Sequence, residues 1–408
     1  MNKLKKYALS SLYDMASGIS STKEQAGHGS PFVSFSTVFN NYFLPDELPD
    51  LMETSKKEQE VYSIKKGDIL ITRTSETIDE LAMSCVATKD YPCTTYSGFT
   101  KRLRPKTEGI AYYKYMAFYL RSAWFRKVVT NNAFMTLRAS FNEDIFTFLN
   151  VYLPDYDVQV HIGDFLYSIE QKIGVNKRIC AELESVAKTI YDYWFTQFDF
   201  PDADGKPYRS SGGEMEWNEL LKRKIPRGWG VTTIGEVTRN YDSKRIPLSQ
   251  NERDSMKGDI PYYGATGIMD YVNRHIFDGH YVLIAEDGSV MDEKGNPIVQ
   301  MIWGKTWVNN HAHVLEGCNG YSNELLYLLL HRIPVVKIMT GSIQKKINQD
   351  NLNSYRIPHI PSFIARAFSE TVVPMFEEIR VLQQENDELT KLRDWLLPML
   401  MNGQATVE

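Results

Sequence analysis

The side chains in this chain that could do chemistry are scattered histidines and acids. His311-Ala-His313 has the spacing of two metal ligands on one strand face, with His275 and His280 upstream. No cysteine or acidic partner stands beside them in the sequence, and a zinc site needs three or four such donors. Asp202-Ala-Asp204-Gly205 begins like a calcium loop but lacks the distal glutamate, which leaves a polar turn. Ser210-Ser211-Gly212-Gly213 offers a nucleophile or a phosphate cradle, yet no helix pattern follows where a cradle needs one. Pro201-Asp202 with Glu214 starts a nuclease pattern that lacks its Glu-x-Lys pair. The glycine-rich cofactor turn and Asn/Asp-Pro-Pro loop of a methyltransferase are absent, as is a Walker A lysine loop. The expectation is therefore no catalytic residue, no metal site and no cofactor of its own.

Binding loops are better candidates. Ile260 to Ile268 holds Tyr262 and Tyr263 beside Gly264, Thr266 and Gly267, a glycine-hinged aromatic loop. Such a loop can bring its backbone close to a phosphate or stack on a sugar or base. The same tyrosines could equally pack at a strand edge. Farther on, Gly341-Ser342 and Gln344 lead to Lys345 and Lys346. The lysines suit phosphates, and Gln344 has the paired amide groups that suit adenine. Arg138 lies 206 residues before Gln344 and is suited to guanine. Arg73, Lys101, Arg102 and Arg104 are candidate phosphate contacts by charge alone. From Ile64 to Ser140 there are thirteen Lys and Arg against six Asp and Glu, although the whole chain carries a formal net charge of -5. A part rich in cations could hold nucleic acid, with ordinary solvated charge as the plain alternative.

These loops need a frame. Ile162, Leu166, Ile169, Ile173, Asn176, Cys180, Leu183, Ala187 and Ile190 follow a 4-3 alternation, the seam of a coiled coil. Adding 206 gives Phe368, Val372, Met375, Ile379, Leu382, Asn386, Leu389, Arg393 and Leu396, a second seam in the same register. The chain thus reads as two copies of one unit, whose rods, each on the order of 50 Å, pack antiparallel with pseudo-two-fold symmetry. Asn176 and Asn386 are candidate register-setters. Pro374 should start or kink the second helix.

Between the rods the pattern is mixed. Ile69–Thr72, Cys85–Ala87 and Thr94–Tyr96 read as strands, and Tyr281–Ala285 matches the first of these in the second copy. Tyr112–Val129 and Leu325–Lys337 read as amphipathic helices. The fold class is α+β, with two mixed α/β domains separated by two long antiparallel coiled-coil helices. The boundaries are 1–156, a helix over 157–200, a linker over 201–225, 226–361, and a helix over 362–402. Four cysteines without C-x-x-C spacing, no signal peptide and no apolar run of eighteen residues point to the cytoplasm and exclude a membrane partner.

The ordered set of motifs resembles the specificity subunits of type I restriction-modification systems. It is carried by Glu182-Leu183-Glu184 through Ala187 to Phe195, Phe198-Asp199-Phe200-Pro201 through Gly205 to Gly213, and Ile225-Pro226 with Gly228-Trp229. Tyr262 to Gly267, Leu283-Ile284 with Asp287-Gly288, and Gly341-Ser342 with Gln344 complete it. The resemblance implies a non-catalytic DNA reader with two target recognition domains, each reading half of a bipartite double-stranded site. It also implies helices that set the gap and dock two methyltransferase subunits. S-adenosylmethionine, ATP and magnesium would then belong to the methyltransferase and the restriction/translocase subunits. The first globular part lacks a clear Tyr-Tyr-Gly-Ala-Thr-Gly loop, so its assignment to the pattern is the weaker one. A coiled-coil scaffold binding only proteins is the alternative.

Overall fold

The computed structural model describes residues 4–75, 80–132, 139–341, 345–405 and 407. They divide into two compact units, Met1–Val175 with Glu385–Glu408, and Asn176–Gln384. A central helix runs over Tyr156–Tyr191 and a C-terminal one over Ser362–Met401. Each helix gives one half to each unit, so the rods are not bodies of their own.

In the first unit, Lys5–Ala8 pairs antiparallel with Asn150–Leu153, tying its first strand to its last. A four-stranded antiparallel sheet follows the order Tyr13–Ser17, Thr100–Pro105, Ile69–Thr72, Ser84–Val86. Beside it, Ala26–Val33 pairs antiparallel with Asp50–Met52 and parallel with Thr95–Tyr96. Ile69, Leu70 and Ile71 are apolar without alternation because both sheet faces are covered. Ile69 and Ile71 pack with Tyr115 and Phe118. Leu70 packs with Val33, Val38 and Tyr96 on the other side.

The second unit has the same connectivity, with longer central strands. Val231–Thr233 pairs antiparallel with Arg356–Pro358. A six-stranded sheet follows the order Thr238–Asn240, Ala312–Gly317, Phe277–Ala285, Val299–Val308, Lys257–Tyr263, Ile268–Val272. Phe277–Ala285 lies between Ala312–Gly317 and Val299–Val308 as Ile69–Thr72 lies between Thr100–Pro105 and Ser84–Val86. The match drawn between Ile69–Ile71 and Tyr281–Ala285 is therefore topological as well as compositional. The parallel step recurs too, since Phe32 faces Thr95 as Tyr262 faces Trp307. The segment equivalent to Tyr262-Tyr263-Gly264 is thus Phe32-Val33-Ser34. Here Ser34 caps the Phe35–Asn40 helix by accepting the Thr37 amide, so a helix replaces the glycine turn. The first globule shares the fold without the loop motif.

Other expectations needed correction. The Tyr112–Val129 helix is two, Tyr113–Tyr119 and Ala123–Asn132, broken where the Ser122 hydroxyl accepts the Phe125 amide. Leu325–Lys337 is helical only over Asn323–Leu330, with a single 3-10 turn at Val335–Lys337 after Pro334. The C-terminal helix neither starts at Pro374 nor stops there. The supposed linker contains an antiparallel hairpin, Met215–Asn218 with Arg223–Pro226.

Within each unit the two helices pair antiparallel along the expected seam. In the first, Ile162, Leu166, Ile169 and Ile173 are buried in one cluster with Leu397 and Leu400, and Leu389 and Leu396 lie against it. Glu170 accepts from Arg393, whose guanidinium also lies 4.8 Å over the Tyr42 ring, and Lys172 meets Glu385 at 3.1 Å. The polar break at Arg393 is thus paired rather than exposed. In the second unit Cys180, Leu183, Ala187 and Ile190 pack with Val372, Met375 and Ile379. Phe368, fully buried, sits edge-on to Tyr191, Trp194 and Phe195 at 6.0, 5.5 and 4.9 Å. Leu382, Asn176 and Asn386 are also buried.

Candidate nucleic-acid interface

The four cations proposed in the first unit separate into two pairs. Strand alternation puts Arg102 and Arg104 on the face opposite Leu103, and that face is closed. Arg102 is 9% exposed, donates to the Ser63 carbonyl at 2.6 Å and lies over the Tyr96 ring. Arg104 donates twice to Asp68, at 2.9 and 2.6 Å, and once to Ser63. Asp68 is itself 1% exposed. These two arginines clamp the Ser63–Asp68 turn and are not free phosphate donors, which corrects that part of the expectation. Arg121 is spent the same way, on the carbonyls of Ser84, Val38, Phe39 and Asn41. Counting charges overstated the basic surface because backbone acceptors take up several of them.

Arg73 and Lys101 remain. Arg73 is exposed at the end of the Ile69–Thr72 strand, and its amide donates to the Phe99 carbonyl. Lys101 reaches the Ser17 hydroxyl at 2.8 Å. Partial burial, then the charge of Arg73, pushes its pKa down. Phe99 between them is 62% exposed. Two close cations with an exposed ring fit a backbone phosphate and a neighbouring sugar or base. Arg73→Ala or Lys101→Ala is expected to weaken duplex binding across sequences and to lower the salt slope by about one each. Arg104→Ala should instead cost roughly 3 kcal/mol of stability by stranding buried Asp68, a contrast that thermal denaturation read beside binding will check.

In the second unit, the Tyr262 hydroxyl accepts the Leu248 amide at 3.0 Å, and the Arg253 guanidinium lies 5.4 Å from its ring. At 1% exposure Tyr262 cannot stack on a base; it packs inside the sheet, paired with Asp270 on one side and Trp307 on the other. Tyr263 is half-buried against the Phe277 and Ile302 cluster. The turn closes by the Gly264 amide donating to Gly267, and Gln300 donates to the carbonyls of Gly264 and Ala265. What it presents to solvent is Thr266, with Ile268, Met269 and Tyr271 exposed on the next strand.

Arg138, Ser342 and Gln344 lie outside the described residues. Their flanks are placed, and they match. The Phe141 amide donates to Arg73, and the Ile347 amide, 206 residues later, donates to Glu286. Lys345 is exposed, whereas Lys346 is held by Glu286 at 2.9 Å and is not a free donor.

Glu286 opens a cluster that local reading missed. His313, 2% exposed, sits 2.5 Å by Nδ1 from Asp242 and 2.8 Å by Nε2 from the Ile347 carbonyl. Both partners are acceptors, so the ring is held as a doubly protonated cation. Burial alone would favour the neutral ring, but Asp242, the Ile347 carbonyl and Glu286 outweigh it, and its pKa is raised. Arg245 donates to Glu286 and to the Ala312 carbonyl, both at 2.7 Å. Asp242, Glu286 and His313 lie close enough to hold a metal ion. Yet the imidazolium offers no lone pair, and Glu286 already carries Arg245 and Lys346. His311, by contrast, faces Asp287 on the surface. The acidic partners missing from the sequence neighbourhood of these histidines come from elsewhere in the fold, as charge partners. The cluster's work is to fix Lys346 and Ile347.

Two units of one topology, with the matched backbone bonds of Phe141 and Ile347, make a doubled module. The sequence pattern of the type I restriction modification DNA specificity domain matches residues 3–185 and 226–389, and the chain belongs to this family. Among relatives, the Haemophilus influenzae protein S.HindORF215P is 35% identical over 150 residues, 37% of this chain and only 34% of that one. The type I restriction enzyme MjaIX specificity subunit of Methanocaldococcus jannaschii is 23% identical across 88% of this chain and 82% of its own. The crystal structure of a type I restriction-modification system S subunit from M. genitalium shares the fold, with a TM-score of 0.58 at 17% identity, covering 98% of this chain and 96% of that one. The role defined by the doubled domain and these matches is that of a specificity subunit in a type I restriction-modification system.

Proposed function

We propose that the two units read the two halves of one bipartite duplex site, and that the paired helices set the separation of those halves. The observation that carries this is the shared topology together with divergent surfaces. The first unit exposes Arg73 beside Lys101, and the second exposes Thr266 and Lys345. Catalysis then lies elsewhere, on two docked methyltransferase subunits using S-adenosylmethionine and on restriction/translocase subunits using ATP and magnesium, in the cytoplasm.

The helices carry surface suited to such docking. On the central helix Ile179 and Val186, and on the π-helical turn Asp192–Thr196 that follows it Tyr193, are exposed at heptad spacing in the second unit. On the C-terminal helix Leu392 and Trp395 are exposed in the first. Val186 and Leu392 are 206 residues apart, so each repeat offers an apolar stripe at an equivalent position. No described helix is long and apolar enough to cross a membrane.

The test is spacer length. One heptad of helix rises about 10 Å, the length of roughly three base pairs. Removing a heptad from both helices keeps the seam and is expected to shift the tolerated spacer by about three base pairs, leaving both half-sites unchanged. Methylated positions in cells carrying the shortened chain will report this, and an unaltered spacer would refute it.

A further inference from the structure

One concavity in the second unit is lined neither by its Tyr262–Gly267 loop nor by the exposed Ile179, Val186 and Tyr193. It is an open groove of about 910 Å³ between the end of the central helix, the Met215–Pro226 hairpin and the segment around the Arg356–Pro358 strand. Its floor is apolar, from Tyr191, Phe195, Trp229, Ile333 and Ile357, all largely buried. Its walls carry Arg223, Arg332, Lys337 and Arg356 against a single acid, Asp192. That acid is already taken by Arg332. Arg223 leans over the Phe198 ring at 4.7 Å, and Lys337 and Arg356 are exposed with no ion-pair partner among the described residues.

We propose that this groove receives an acidic polypeptide segment of a partner protein, anchored by a bulky apolar side chain. An excess of unpaired cations around an apolar floor is complementary to that chemistry. It is not complementary to a duplex, whose phosphates gain nothing from an apolar floor. The floor aromatics are packed rather than projecting, so they offer no faces for stacking bases. The hairpin wall comes from residues 186–225, between the two matched domains.

The test uses the full chain and a short fluorescein-labelled peptide of glutamates flanking one leucine. Binding is read by anisotropy with the wild type and with the double variant Lys337→Glu and Arg356→Glu, both exposed positions whose replacement leaves the core intact. The expected result is a loss of roughly tenfold or more in affinity, and a similar loss when the leucine is replaced by glutamate. Equal affinity in the variant, indifference to the leucine, or displacement of the peptide by scrambled duplex would overturn the proposal. So would self-association of the wild type that the double variant abolishes, which would assign the groove to a second copy. Salt-dependent binding of a bipartite duplex, measured on the same variant, should not change. A change confined to that assay would bear on the DNA-reading proposal and not on the groove.

Discussion

Replacing His313 with glutamine is expected to lower the melting temperature of the second unit by about 10 °C and to blur reading of its half-site while the other half-site stays sharp. The imidazolium joins Asp242 to the Ile347 carbonyl. A glutamine amide has no charge and reaches only one of them. Breaking a buried charge pair costs about 3–5 kcal/mol because the remaining carboxylate stays desolvated. The local effect is the larger one for function, since the Ile347 carbonyl loses its side-chain partner while Glu286 still holds Lys346. Calorimetry together with half-site-scrambled duplexes will measure both, and a melting temperature within about a degree of wild type would sink the claim.

The same residue has a pH signature. A raised imidazole pKa means its stabilisation is complete below the unfolded value of about 6.5 and is lost as pH rises through the folded value. Two other histidines of the second unit act in the opposite sense. Burial, then the charge of Lys188, holds His331 down at about 4, and burial also lowers His280. Their stabilisation is lost as pH falls below about 6.5. The wild type should therefore weaken on both sides, and only the alkaline limb should flatten in His313→Gln.

Phe368→Ala is expected to cost about 3–5 kcal/mol, concentrated in the second unit. The ring is fully buried and meets three aromatic rings at the end of the central helix. Alanine leaves a cavity that those rings, held by their own neighbours, cannot fill. Hydrogen exchange should show lost protection around Tyr191–Phe195 with the sheet of the first unit unaffected. Uniform loss across both units would contradict the division described above.

How far the chain could be read in advance follows the range of the interactions. The seams were legible because a helix repeats its face every three or four residues, and a constant offset of 206 carries that face from one copy to the next. The Ile69–Thr72 strand was legible because it is buried on both sides. The parallel step linking Tyr262 to Trp307 was not, since nothing local specifies which distant strand a strand will meet. Arg102 and Arg104 looked like surface charge because their acceptors, Ser63 and Asp68, are some forty residues away. His313 looked partnerless because Asp242 stands 71 residues upstream. The residues expected to touch bases, Arg138, Ser342 and Gln344, fall outside the described residues.

The first unit takes residues 385–408 from the far end of the chain. During translation, then, the part made first cannot finish folding until residues 385–408 have been made, and the Ile162 and Leu166 face must wait uncovered. A premature stop within codons 385–408 would leave the later-made unit whole and ruin the earlier one. If the two units read separate half-sites as proposed, genetic damage there should surface as loss of the half-site assigned to the first unit.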